Sequence, residues 1–493
     1  MKKVRTRFAP SPTGYMHIGN LRTALYEYLV AKKEKDGVFI LRIEDTDQGR
    51  LIEGATDVIM DTIKKCGLIH DEGPDIGGDF GPYIQSERMK SGIYKEYALK
   101  LCQLGGAHPC FCDQEKINEE RQEAESKGLS FKYVDPCKSL SKDEVEKRME
   151  TEKYVIRQSI PEDGTTSFID EVYGTITVDN SSLDDAILLK SDGFPTYNFA
   201  NIIDDHFMDI THVVRGNEYL ASTPKYNLIY EAFGWDVPTY IHCPPVMKDE
   251  THKLSKRNGD ASFQDLVKKG FLPEAIINYI ALLGWAPETE QEIYTLDELK
   301  KAFSVHRINK NGAIFDIEKL RWVNAQHLRK MEIDPYLNLI NPFIDQVLRH
   351  DYDRIEIAKI LQPRVIVLND VIEMLDFINQ MPEEYDIEFY RHKRMKTNPE
   401  NSLVNLIHCR KVLDLIDKSD WTIANIENKL MELVSELGCK NGQVLFPLRL
   451  AITGYKSTPG GAFELSYIFG KTETLRRLDI SISLLQSKIN VDK

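Results

Sequence analysis

Two short stretches of this 493-residue chain carry side chains suited to handling phosphate. His17-Ile18-Gly19-Asn20 stands where a loop enters a helix. Glycine there lets a phosphate or an adenine come close to the backbone, helix N-terminal amides favour an anion, and an imidazole donates to a phosphate oxygen. Far downstream, Lys253-Leu254-Ser255-Lys256-Arg257 lies in a stretch with Lys248, Asp249, Gly259 and Asp260. That composition suits a mobile loop delivering positive charge to a departing pyrophosphate. Neither motif decides alone. With 12 His and 29 Gly, a His-x-Gly arises about 0.7 times by chance, and an isolated KxxK is more often a solvated loop. The run Tyr390-Arg391-His392-Lys393-Arg394-Met395-Lys396 is the densest basic patch, suited to RNA phosphates or simply to a solvated face. Of eight scattered cysteines, only Cys110, Cys112 and Cys137 are suggestively spaced, and no disulfide framework is visible.

The elements that must position these groups read as α/β. Val4 to Ala9 forms a strand, Pro10-Ser11-Pro12-Thr13-Gly14 breaks it, and Leu21, Ala24, Leu25, Tyr28 and Leu29 recur at helical spacing. Val38 to Ile43 reads as a second buried strand. Strand, glycine-bearing loop, helix, strand opens a doubly wound, Rossmann-type sheet. Near residue 105 the texture changes to a Cys-rich turn, a polar helix over 114–127 and short β-like pieces over 153–190, as expected of an inserted α+β domain. The α/β pattern resumes over 197–230, and from about 260 the chain is predominantly helical.

Length implies about two to four domains. Apolar residues at 42% and charged residues at 28% match a globular protein. No apolar run nears the roughly 20 residues that cross a bilayer, and the basic start lacks a signal peptide's hydrophobic core. A cytoplasmic protein without membrane contact is expected. The net charge of −14 argues mildly against nucleic acid as a partner, although a local basic face suffices for RNA.

Many ordered blocks add a resemblance. Arg7-Phe8-Ala9-Pro10-Ser11-Pro12-Thr13-Gly14, then His17-Ile18-Gly19, Arg22-Thr23-Ala24-Leu25 and Leu41-Arg42-Ile43-Glu44-Asp45-Thr46-Asp47 open the series. Asp192-Gly193-Phe194-Pro195-Thr196-Tyr197, Asn201, Asp204-Asp205-His206, Arg215-Gly216-Asn217-Glu218-Tyr219-Leu220 and Lys253 to Arg257 continue it. Leu272-Pro273-Glu274-Ala275, Leu282-Leu283-Gly284-Trp285, Phe446-Pro447-Leu448-Arg449 and Ala451-Ile452-Thr453-Gly454 carry it onward. The chain resembles bacterial-type glutamyl-tRNA synthetases, class I aminoacyl-tRNA synthetases. The resemblance implies ATP-dependent joining of L-glutamate to tRNA(Glu) through a glutamyl-adenylate that forms only with tRNA bound. It implies Mg²⁺ with the ATP and a monomer.

Carried over residue by residue, Arg7 with Tyr197 would hold the substrate's side-chain carboxylate and Arg215 its α-carboxylate, since a planar guanidinium suits a carboxylate. Glu44 would accept from the α-ammonium, with Ala9, Ser11, Asn201 and Glu218 completing the pocket. His17, Gly19 and Lys256 would bind ATP, assisted by Lys253 and Ser255. The class signature usually ends in a second histidine where this chain has Asn20. Cys110, Cys112, Tyr133 and Cys137 would hold a structural Zn²⁺, with His108 a weaker fourth candidate and Ser139 at a position some relatives use. The implied division is a catalytic domain over 1–105 and 196–235, an acceptor-binding insertion over 106–195, a stem-contact region over 236–325 and an all-α anticodon-binding domain over 326–493. Glutamine-specific enzymes differ in their β-barrel anticodon domain and usual PEPNG block, and the queuosine-modifying paralogue lacks the anticodon domain. A non-discriminating enzyme that also charges tRNA(Gln), a small-molecule nucleotidyltransferase and a catalytically dead RNA-binding regulator are the rivals.

Overall fold

The computed structural model describes residues 2–128, 133, 135–254, 262–382 and 384–491. The chain divides into two units, one of residues 1–268 and 273–317 and one of residues 269–272 and 318–493.

The first unit is built on several small sheets of two to four strands. Strand β1 (Arg5–Phe8), helix α1 (Ile18–Lys33) and strand β2 (Val38–Leu41) form its opening crossover, with β1 and β2 parallel and Arg7 opposite Ile40. Both strands are buried along their whole length, as expected where helices cover a parallel sheet. Strands β3 (Ala107–Cys110) and β4 (Val155–Gln158) pair antiparallel. Strands β5 (Thr165–Asp170) and β6 (Gly174–Asp179) form a hairpin, and β7 (Ile187–Leu189) joins the other edge of β4. Helix α2 (Tyr197–Phe207), strand β8 (His212–Gly216), helix α3 (Thr223–Phe233) and strand β9 (Thr239–Cys243) complete the α/β unit.

Strands β8 and β9 are parallel. The amide of Thr211 donates to the carbonyl of Arg5 at 3.0 Å, which lays the β8 edge beside β1. The sequence places 106–195 in one insertion, but the β5–β6 hairpin inside it extends the sheet of β8 and β9, with Asp170 paired to Tyr240 of β9. The reason is chemical: the carboxylate of Asp170 accepts from the backbone amide of His242 at 3.0 Å and fastens the hairpin to β9. Ile40, Phe168, Met208, Val213 and Tyr240 share one buried cluster.

Helix α1 is covered on more than one side. It packs on β1, β2 and β8, and also on helix Pro273–Leu282, whose Ala281 carbonyl accepts from the Tyr26 hydroxyl at 2.9 Å. Its polar residues Arg22 and Glu27 are consequently buried.

The second unit is helical. Helices Pro399–Asp414, Ile423–Glu436, Asn441–Thr453 and Ala462–Val491 pack on one another. Asn398 starts the first of these with a capping box, and Gly454 at φ 77° ends the third in the left-handed conformation that glycine adopts without strain. Within the basic run of this unit, Tyr390 is buried and Arg391 pairs with Glu388 at 2.6 Å, leaving Lys393, Arg394 and Lys396 exposed. No helix among the described residues is long and apolar enough to cross a membrane.

Candidate active site

The C-terminal ends of β1, β8 and β9 open into a cleft of about 380 Å³. Ligands of doubly wound sheets bind at this end of the strands. Arg7, Ala9, Ser11, His17, Gly19, Tyr197, Arg215, Glu218 and Lys253 all line it. Glu44 and Asn201 are buried but do not form its wall. Ser255 and Lys256 lie outside the described residues. A larger hollow of about 970 Å³ at the opposite strand ends has mixed-charge walls and holds none of the site residues read from the sequence.

His17 caps α1. Its Nδ1 accepts from the amide of Gly19 at 3.0 Å, so in the neutral ring the proton resides on Nε2. A Cβ at position 19 would come within 3.2 Å of that ring nitrogen, which favours glycine here. The segments flanking 255–261 are both tied to the cleft. Leu254 donates to the carbonyl of Val246 at 3.0 Å, and Ser262 bridges His17.

Arg215, on β8, is a buried cation held by neutral groups. Its Nε donates to His242 Nε2 at 3.0 Å and its Nη2 to the Thr223 hydroxyl at 2.7 Å. The rings of Tyr219, Tyr226 and Tyr240 lie with their centroids 5.3, 4.8 and 5.2 Å from its guanidinium carbon. His242 Nδ1 donates in turn to Asp170 at 2.7 Å, which fixes the tautomer that leaves Nε2 as an acceptor. Burial lowers the His242 pKa, with Asp170 opposing, in keeping with that neutral ring. Among the described residues, no carboxylate pairs with Arg215. A buried guanidinium so placed is suited to a carboxylate from a ligand.

Arg7 differs. Its Nε donates to Asp205 at 2.9 Å and its Nη1 to Glu27 at 3.2 Å. Behind it, Arg42 donates to Asp205 at 2.7 Å and to Glu44 at 2.8 Å, while Arg88 pairs with Asp204 at 2.8 Å. Burial opposes ionisation of Asp205, but Arg7 and Arg42 outweigh it and hold this carboxyl below its usual range. Glu27, Glu44 and Asp204 are all pushed upward, burial being the first cause in each. Glu44 is thus engaged by Arg42, and Asn201 donates to the backbone carbonyl of Tyr197 at 2.7 Å. Burial also raises the Tyr197 phenol well above its usual value, so it stays protonated.

Glu27, Asp170 and His242 carry no sequence motif. Asp205 and Arg42 stand inside motifs but their pairing, across 163 residues, is visible only in the fold.

The second cluster joins β3 to the turn Pro136–Ser139. Single ligand atoms of Cys110, Cys112, Asp135 and Cys137 lie within 4.8 Å of one another. The Cys112 and Cys137 sulfurs are 3.6 Å apart, and the Tyr133 hydroxyl is 3.9 Å from the Cys110 sulfur. Sulfurs on a tetrahedral zinc would be separated by about 3.8 Å, so the set fits that ion. Asp135 joins the cysteines here without a sequence motif of its own. His108 uses Nε2 on Asp135 at 3.0 Å and Nδ1 on Ser159 at 2.8 Å, which removes it from the ligand candidates.

Residues 3–322 match the tRNA synthetases class I (E and Q) catalytic domain, and residues 328–482 match an anticodon binding domain. Fold and cleft together are those of a class I aminoacyl-tRNA synthetase. The chain is 54% identical over 494 residues to the glutamate–tRNA ligase of Clostridium novyi, covering 99% of each chain. It is 57% identical over 486 residues to that of Clostridium botulinum, covering 98% of this chain and 99% of the relative. The crystal structure of a glutamate tRNA ligase from Elizabethkingia meningosepticum in complex with its amino acid superposes with a TM-score of 0.88 at 35% identity, covering 98% of this chain and 100% of that one. The chain belongs to the glutamate–tRNA ligases.

Proposed function

We propose that the cleft activates L-glutamate with ATP and passes it to tRNA(Glu), and that two buried arginines of its wall, Arg7 and Arg215, hold the amino acid. The observation that carries this reading is the placement of Arg7 and Arg215 on one cleft with His17 and Lys253. Arg215 takes the α-carboxylate, its guanidinium being held by His242, Thr223 and tyrosine rings and not by a carboxylate. Arg7 and the protonated Tyr197 phenol take the side-chain carboxylate. Glu44, released in part from Arg42, accepts from the α-ammonium, and Ala9, Ser11 and Glu218 shape the remaining wall, with the buried Asn201 completing the pocket.

His17 Nε2–H donates to an ATP phosphate, Gly19 admits the nucleotide close to the backbone, and Lys256 supplies charge, with Lys253 and Ser255 assisting. The α-carboxylate attacks the α-phosphorus and pyrophosphate departs. The acyl group then moves to a hydroxyl of the terminal ribose, with AMP leaving. Catalysis is positioning and charge stabilisation, without a covalent link to the protein. Glu27 and Glu218 are the carboxylates on the cleft wall among the described residues, too few for a protein cage around Mg²⁺. The ion would instead enter with the phosphates and neutralise their charge.

Residues 106–195 would receive the acceptor end of tRNA, residues 236–325 its stem, and residues 326–493 its anticodon, in a monomeric cytoplasmic enzyme. Glutamate-dependent exchange of labelled pyrophosphate into ATP is expected once tRNA(Glu) is added. Exchange that needs neither glutamate nor tRNA would favour a small-molecule nucleotidyltransferase.

Cys110, Cys112, Cys137 and the Tyr133 phenolate would hold a structural Zn²⁺ that fastens β3 to the following turn. About one zinc per chain is expected by elemental analysis. Cys110→Ala should lower that to a small fraction and expose the turn to proteolysis, and a metal-free wild type would end this part of the reading.

A further inference from the structure

Glu27 stands where the side-chain carboxylate of glutamate is needed. It projects from α1, is 2% exposed, lines the cleft, and has Oε1 3.2 Å from Arg7 Nη1. Its other oxygen, Oε2, is buried without a hydrogen-bond partner. The groups facing it are Arg7 on β1, Arg42 and Glu44 after β2, Asp205 on α2 and the Cys243 thiol on β9. The linked network holds the carboxyls Glu27, Glu44, Asp204 and Asp205 against the guanidiniums Arg7, Arg42 and Arg88. Carboxyls already outnumber cations there. A substrate carboxylate arriving at Arg7 adds another negative charge in a poorly solvated place, and one internal carboxyl must then be neutral.

Resting on the reading of this cleft as the glutamate site, we propose that Glu27 is a further specificity-determining residue, its neutral carboxyl donating Oε2–H to the substrate's side-chain carboxylate beside Arg7. Two features single it out from its neighbours. Asp205 is held ionised by two guanidiniums at 2.9 and 2.7 Å, and Glu44 is bound by Arg42 at 2.8 Å, whereas Glu27 has one longer contact. Burial also pushes its carboxyl well above the usual range, and Arg7 offsets this only in part. With Glu27 neutral, both it and Arg7 present N–H or O–H donors, which suit the two acceptor oxygens of a carboxylate. An ionised Glu27 would repel that carboxylate and instead accept from the amide N–H of glutamine. The site therefore selects glutamate over glutamine most strongly when Glu27 carries its proton.

The test is the KM for L-glutamate in charging of tRNA(Glu), with ATP and tRNA saturating, in wild type and Glu27→Gln. As rising pH ionises Glu27 the wild-type KM should climb roughly tenfold, while the variant, with a permanent amide donor, should stay nearly flat. At high pH the variant should bind glutamate more tightly than wild type, a gain that misfolding cannot produce. Inhibition by glutamine should strengthen with pH in wild type alone. Parallel pH profiles, whether flat or rising, would overturn the role of Glu27. Absence of glutamate charging by the wild type would instead overturn the proposed function.

Discussion

Arg215→Ala should reduce kcat/KM for glutamate by roughly 100- to 4,000-fold while leaving the KM for ATP within about twofold. The guanidinium is buried against Tyr219, Tyr226 and Tyr240 and oriented by His242 and Thr223. A carboxylate drawn into such a place without its cation loses about 3–5 kcal/mol, and each 1.4 kcal/mol or so is a factor of about ten. Arg215→Lys keeps the charge but not the fork that reaches His242, Thr223 and a carboxylate together, so it should recover less than about a tenth of the lost activity. Steady-state charging with varied glutamate reads both variants. Equal losses in the ATP and glutamate terms would mean that Arg215 supports the cleft generally and does not hold the amino acid.

Asp205→Asn should be the most damaging change in the network behind the site. One carboxylate oxygen accepts from Arg7 and from Arg42, and the residue is 3% exposed. The amide leaves two buried guanidiniums facing each other without the intervening charge, at a cost of about 3–5 kcal/mol. Thermal denaturation should show the first unit melting about 5–10 °C lower. The sign with pH follows from the depressed carboxyl pKa. Its stabilisation is complete above the unfolded-state value near about 4 and disappears as pH falls through the lower folded value. The gap between wild type and variant should therefore be constant near neutrality and close only in acid. A gap that closed on going from about pH 6 to 8 would contradict an ionised Asp205.

The sequence and the structure agree best where a feature is local. The opening strand, loop, helix and strand follow from apolar spacing and the break at Pro10 to Gly14, and they appear as β1, α1 and β2. The capping role of His17 is likewise local, since its ring meets an amide two residues away. Helical texture after residue 260 reappears in the C-terminal helices. What stayed hidden depends on long separations. Arg7 and Asp205 are 198 residues apart, and no local pattern says that they touch. Glu27 falls outside the apolar spacing of α1 and reads as a solvent-facing position. It is buried because α1 has sheet on one side and helix Pro273–Leu282 on another. The β5–β6 hairpin has clean alternation, but its attachment to β9 depends on Asp170 reaching His242 across 72 residues. Asp135 has no spacing of its own that marks it as a ligand, and only the fold gathers it with the cysteines.

The measurement that bears most directly on the whole account is charging by the purified chain, with radiolabelled L-glutamate and ATP offered together with tRNA(Glu) and, separately, tRNA(Gln). Acid-precipitable glutamate on tRNA(Glu) is the predicted result, and its presence or absence on tRNA(Gln) sets the breadth of tRNA choice. No glutamate on either tRNA, from folded protein with ATP and Mg²⁺ present, would contradict the assignment of the Arg7–Arg215 cleft as a site of glutamate activation.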